Sequence, residues 1–255
     1  MNRLEDVAKV AVDDPLFIEY FRFKHGQSQH LSLVDKLFSH LKMPFVMAGC
    51  QYLRCEKDLP DGAKQSAAMK AQLLASGAPD KTEEQLAASS VYQLILTNDK
   101  AKTIFPYLNI SQSNVELNYT KTCVPAQSRT SLLNHLKALC AGADKVVICD
   151  QYFFANWSDV ISTKSLFTHI LPRKALSIEF VGKGYGKSNR QADIEAIEPN
   201  WTLKTYSGSS YSHKSNHDRY LLIEKQDEKV EVILSSGFLY LWKPDKEISC
   251  IFRQL

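Results

Sequence analysis

Residues 145–150, KVVICD, decide how the chain is read. Val146, Val147, Ile148 and Cys149 follow one another without polar alternation, the pattern of a strand covered on both faces. LSIEFVG at 176–182 reads as a second buried strand. Upstream, SRTSLLNHLKALCAGA predicts a helix capped by Ser128 and ending near Gly142. A further helix is expected around 158–170, stopped near Pro172, and a short one at 189–197. Extended runs close the chain: WTLKTYS at 201–207, DRYLLIE at 218–224, KVEVILSS at 229–236 and EISCIFR at 247–253. Helices interleaved with strands, then strands in succession, predict an α/β (α+β) domain over 116–255, a mixed sheet flanked by helices.

Residues 1–115 read as a separate, helix-rich region of unassigned role. Apolar residues recur at near-helical spacing over 15–42, clearest at Leu33, Val34, Leu37, Phe38 and Leu41. Ala63 to Ala75 predicts a helix stopped by Gly77 and Pro79. Thr82 with Gln85 fits a capping box, and VYQLILT at 91–97 reads as a strand. The acidic pairs Asp13-Asp14 and Glu83-Glu84 are expected to be solvated helix ends.

Composition narrows the class. The 255 residues are 44% hydrophobic and 23% charged, which excludes long disorder and a disulfide-dense mini-scaffold. The net charge of +3 does not mark a dedicated polyanion binder, so phosphate chemistry must sit in a local patch. No stretch approaches the roughly 20 apolar residues that span a bilayer, and the start, MNRLEDVAKVAVDD, lacks a signal-peptide pattern. The expectation is a cytoplasmic protein without integral membrane contact. None of the six cysteines forms a C-x2-C pair, so reduced core thiols and no metal site are predicted. No cofactor is predicted either. VGKGYGKS at 181–188 imitates a phosphate loop, but only three residues separate Gly182 from Gly186-Lys187, where the P-loop needs four.

The sharpest signal is NHDRYLLIE at 216–224, in which His217, Arg219 and Glu224 stand as H-x-R-x4-E. Strand periodicity puts His217 and Arg219 on one face and Asp218 on the other. An imidazole can attack phosphorus while the planar guanidinium fork holds phosphate oxygens, and a carboxylate can orient a partner residue.

This motif resembles that of the phospholipase D superfamily, H-x-K-x4-D. The resemblance covers roughly residues 128–255 and has two further supports. KVVICDQYFF is similar to the strand ending in D-x-Y that opens many such domains, here with Asp150 and Tyr152. KVEVILSSGF is similar to the strand and small-residue turn after the motif, here with Ser235 and Ser236. Arg219 stands where the family has Lys and Glu224 where it has Asp, and an Arg fork is not equivalent to an ammonium. The variant is similar to HDR-type bacterial members and to the phospholipase D-like domain found after MIT domains.

The resemblance implies a metal-independent phosphodiesterase, a nuclease working through a phosphohistidine on His217, with defence against foreign nucleic acid as its setting. Arg219 and Glu224 would complete the catalytic set. Ser235 and Ser236, with the basic stretch Lys183, Lys187 and Arg190, would bind the DNA or RNA substrate. The family's active site takes two motifs and this chain has one. His213 has Ser215, not a cation, two residues on, so a homodimer is expected to supply the second. The alternative is a non-catalytic module on the same fold that binds nucleic acid, phospholipid or a protein partner, the last through residues 1–115.

Overall fold

The computed structural model describes residues 8–40, 45–64, 67–75, 80–112, 118–150, 152–156, 164–181, 187–208, 219–226 and 228–255. The chain divides into two compact units, residues 1–117 and 118–255.

The first unit is helix-rich and built on a small parallel sheet, β1 (Ala11–Val12), β2 (Ile95–Thr97) and β3 (Tyr107–Asn109), in that order. The apolar stretch of 15–42 forms two helices, α1 (Asp14–Lys24) and α2 (Leu31–His40). They are parted by a turn in which Gly26 takes a positive φ of 68°, a conformation that glycine adopts without strain. Asp13 caps α1 by accepting a hydrogen bond from the Leu16 amide at 3.0 Å. Next come α3 (Gly49–Cys55), α4 (Ala67–Ala75) and α5 (Glu83–Ala87). The capping box of α5 is complete: the Gln85 amide donates to Thr82 Oγ1 and the Thr82 amide to Gln85 Oε1. Of the expected strand 91–97, only Ile95–Thr97 pairs as strand. Gln93 has a positive φ, and the amides of Val91 and Tyr92 turn to the carbonyls of Ala8 and Lys9 instead.

The second unit is an α/β fold on a seven-stranded mixed sheet. Its strands are β4 (Asn118–Cys123), β5 (Lys145–Cys149), β6 (Leu176–Val181), β7 (Trp201–Thr205), β8 (Arg219–Lys225), β9 (Glu228–Leu234) and β10 (Ile248–Gln254), in the order β4-β10-β9-β8-β5-β6-β7. The strands β5, β6 and β7 run parallel, and the remaining neighbours are antiparallel. Val146, Val147 and Ile148 are all buried, so β5 is covered on both faces. The neighbouring β6 alternates instead: Leu176, Ile178 and Phe180 are buried, whereas Ser177 and Glu179 are half-buried. Lys145 meets Glu179 at 3.5 Å on that second face.

Helix α6 (Thr130–Ala141) precedes β5 and presses Leu132, His135, Leu136 and Leu139 into the core, with His135 stacked on Phe252 at 4.5 Å. Its N-cap is Arg129, not Ser128, whose hydroxyl accepts from the Thr130 amide at 3.3 Å. The region expected as a helix at 158–170 contains a π-helix at Leu166–Ile170, ended by extended Leu171 before Pro172; residues 157–163 lie outside the described set. Helix α7 (Lys187–Glu195) joins β6 to β7. Phe153, Phe167, Phe238 and Trp201 fill the core between sheet and helices. Among the described residues, no helix is long and apolar enough to cross a membrane.

Candidate functional site

Open α/β sheets bind ligands beyond the carboxyl ends of parallel strands, where the strand order reverses. Here β5, β6 and β7 step outward in one direction, and the chain then returns to β8 on the other side of β5. Asp150 leaves β5 at that reversal and Arg219 opens β8.

The register dictates their meeting. Cys149 pairs with Tyr220 across the antiparallel ladder, so the next step sets Asp150 against Arg219. The Arg219 Nε lies 3.7 Å from Asp150 Oδ1, an ion pair longer than a hydrogen bond. The Asp150 side chain is 5% exposed and that of Arg219 20%. Backbone amides hold the carboxylate from two sides: Tyr152 N donates to Oδ1 at 2.9 Å, and Phe238 N donates as well. Burial pushes the Asp150 carboxyl above the ordinary range, against the pull of those two amides and of the Arg219 charge. Burial raises the neighbouring Cys149 thiol to about 11, so it is not a ready nucleophile.

Leu234, the last residue of β9, lies opposite Arg219 in the ladder. Ser235 and Ser236 follow it, so they emerge at the same edge. Ser235 is exposed and tied to β10, its amide donating to the Ser249 carbonyl and its hydroxyl accepting from the Ser249 amide, both at 2.9 Å. Ser236 is half-buried.

Glu224 is not brought to this edge. Five residues of strand carry it roughly 17 Å from Arg219, and alternation turns it to the opposite face. There it takes Lys145 Nζ at 3.4 Å and Lys229 Nζ at 3.8 Å, an ion-pair cluster at the far end of β8. His217 and Lys183 lie outside the described residues, as does His213. Lys187 and Arg190 fall on α7, where the backbone alone is described. Asp150 stands out in the sequence as a strand end and not as a site residue. The available signal was a carboxylate closing an apolar β-branched run.

The first unit has its own polar edge. Asp13, which follows β1, is 1% exposed and accepts the Thr97 hydroxyl at 2.5 Å. Lys102 Nζ lies 3.9 Å from Asp13 and 3.2 Å from Glu83, which also accepts from the Asp14 amide and the Tyr107 hydroxyl. Arg54 grips Asp14 with two nitrogens, at 2.6 and 3.0 Å. Burial works to raise the Asp14 carboxyl, but the Arg54 fork outweighs it and holds the group below its ordinary value. The expectation of solvated acidic helix ends is therefore overturned for Asp13, Asp14 and Glu83, whereas Glu84 is exposed. These side chains face each other across the sheet edge through contacts 69 and 84 residues apart in sequence.

The six cysteines are free, four of them buried. Among the described residues, no group of three or more His, Cys, Asp or Glu is placed to hold a metal ion. No family model matches the chain, and no curated protein matches its sequence.

Proposed function

We propose that the second unit is a phospholipase D-like, metal-independent phosphodiesterase that cleaves nucleic acid, with its site at the edge where β5 and β8 part. The observation that carries this reading is the Asp150–Arg219 pair, a cation fixed on rigid strands at the reversal of strand order, two residues after His217. A guanidinium anchored through Nε presents its Nη groups to oxyanions, the geometry that phosphate recognition uses.

The step follows from those residues. His217 attacks phosphorus, forming a P–N bond as the P–O bond to the leaving nucleotide breaks. The leaving oxygen takes a proton from His217 of a second copy. Water then breaks the P–N bond, its proton returning to that second imidazole. Arg219 stabilises charge on the phosphoryl oxygens, which is worth roughly a hundredfold or more in rate where such donors are removed. Ser235 and Ser236 line the approach.

Incubation with labelled single- and double-stranded DNA and RNA in EDTA, beside His217→Ala and Arg219→Ala, tests the reading. Cleavage by wild type and its loss in both variants are expected. Binding without cleavage, unchanged in His217→Ala and weakened in Arg219→Ala, would leave a non-catalytic binding module.

A further inference from the structure

We infer that Asp150 is the positioning residue of this edge, the group that sets the aim of Arg219. The inference rests on the reading of the site given above. It deepens that reading by naming a residue that lies outside the H-x-R-x4-E motif.

An arginine at the start of a strand has four side-chain torsions, and a fork that swings freely recognises phosphate poorly. Asp150 removes that freedom from behind. Its carboxylate meets Arg219 at Nε, 3.7 Å away, so the contact falls on one edge of the fork and the remaining edge can face a phosphate. Among the described residues, Asp150 is the one acidic partner of Arg219. The anchor is itself immobile, because it is 5% exposed and held by amides from two different segments, Tyr152 after β5 and Phe238 after β9. One side chain thus ties the ends of β5, β8 and β9 together, and with them Arg219 and the Ser235-Ser236 turn. The price is electrostatic: a carboxylate beside a phosphate site repels the substrate. A side chain kept for affinity would not be acidic here, whereas one kept for alignment can be.

That opposition yields a signature which a merely structural role would not produce. Asp150→Asn keeps a carbonyl oxygen for the backbone amides and removes the charge. With the full chain and a labelled oligonucleotide in EDTA, the variant should bind as tightly as wild type or a few-fold tighter. It should turn over at least about tenfold more slowly, as expected for lost alignment. Asp150→Asn combined with Arg219→Ala should be no slower than Arg219→Ala alone, because both changes remove one function. Turnover at the wild-type rate in Asp150→Asn, or effects that multiply in the double variant, would overturn the inference. Should Asp150→Asn not fold, Asp150→Glu, which displaces the charge by one methylene, must show the same slower turnover without weaker binding.

If wild type neither binds nor cleaves, the phosphodiesterase reading fails, and the positioning of Arg219 is then judged by itself. Exchange of the Arg219 Nε–H in nitrogen-15 spectra should be about tenfold faster in Asp150→Asn than in wild type. Unchanged exchange would overturn the inference whatever the substrate.

Discussion

Each of the two units ends a strand that has a parallel neighbour in the same way, and puts the result to different use. In each, a buried aspartate follows the strand, Asp13 after β1 and Asp150 after β5. Each accepts a backbone amide two or three residues on, from Leu16 or Tyr152. Each has a cation just under 4 Å away, Lys102 at 3.9 Å or Arg219 at 3.7 Å. The cation's other partners make the difference. Lys102 is also engaged by Glu83 and lies over the Tyr107 ring at 4.4 Å, and the Thr97 hydroxyl closes Asp13 from the side. Lys102 therefore answers two carboxylates, Asp13 and Glu83. Arg219 has no second carboxylate among the described residues. A carboxylate at a strand end is therefore not itself a site; on the reading proposed above, the cation beside it is what makes one.

The comparison breaks most visibly if Asp13 is removed. Asp13→Ala loses an N-cap, worth about 1 kcal/mol. It also leaves the buried Thr97 hydroxyl without its acceptor, which costs about 1–3 kcal/mol more. The expected loss is about 3 kcal/mol in urea unfolding of the full chain. A loss below about 1 kcal/mol would mean that the edge of β1 is no staple, and the contrast with Asp150 would disappear.

Lys102→Met sharpens it through pH. Burial raises the Asp13 carboxyl above its ordinary value, and Lys102 partly offsets this. A carboxyl raised on folding binds more protons in the native state, so its contribution falls as pH rises from the ordinary carboxylate value through the folded one. Without Lys102 that fall steepens. The variant should be about 1–2 kcal/mol less stable at neutral pH, and the deficit should shrink on acidification as Asp13 takes up its proton. A deficit that stays constant down to pH 4 would show that Lys102 acts by packing its stem and not by charge.

What the sequence discloses of these two edges is governed by the range of the interactions. The strands β5, β8, β9 and β10 are legible because Val-, Ile- and Leu-rich runs carry their own signal. The α5 capping box is legible because its two partners lie three residues apart. In contrast, β1 is two residues long, too short for any period, and it exists because β2 pairs with it. Asp13 and Glu83 look like helix ends because they are helix ends. Their burial comes from Thr97 and Lys102, which no local window can reveal. At the candidate site, Arg219 was legible through its motif, whereas its pairing with Asp150 depends on the register of β5 against β8. Glu224, the penultimate residue of β8, joined the active set through its motif spacing and lies at the other end of the strand for a complementary reason. Spacing along a strand shows which face a residue takes but not which end of the sheet holds the chemistry.

A smaller effect tests how far the acidic edge of the first unit depends on its helices. Glu83 opens α5, so the capping box that fixes this end also fixes the acceptor for Lys102 and the Asp14 amide. Thr82→Ala should cost about 1 kcal/mol as a lost cap. A double-mutant cycle with Lys102→Met should show coupling of about 0.5 kcal/mol or more. Strict additivity would make Glu83 independent of its cap.

The smallest expected effect is a control on the whole comparison. Asp61 and Lys64 form a 2.7 Å ion pair, closer than the Asp13–Lys102 or Asp150–Arg219 contact, but Asp61 is 93% exposed at its side chain. Solvent screens both charges, and holding two long side chains together costs rotamer freedom, so such pairs contribute little or nothing measurable. The Asp61 carboxyl is lowered by its hydrogen bond to Lys64, yet Asp61→Asn should leave the urea midpoint unchanged within error. If instead it destabilised the chain as much as Lys102→Met, distance alone would rank these ion pairs. Burial and the number of answering carboxylates would then not be what separates Asp13 from Asp150.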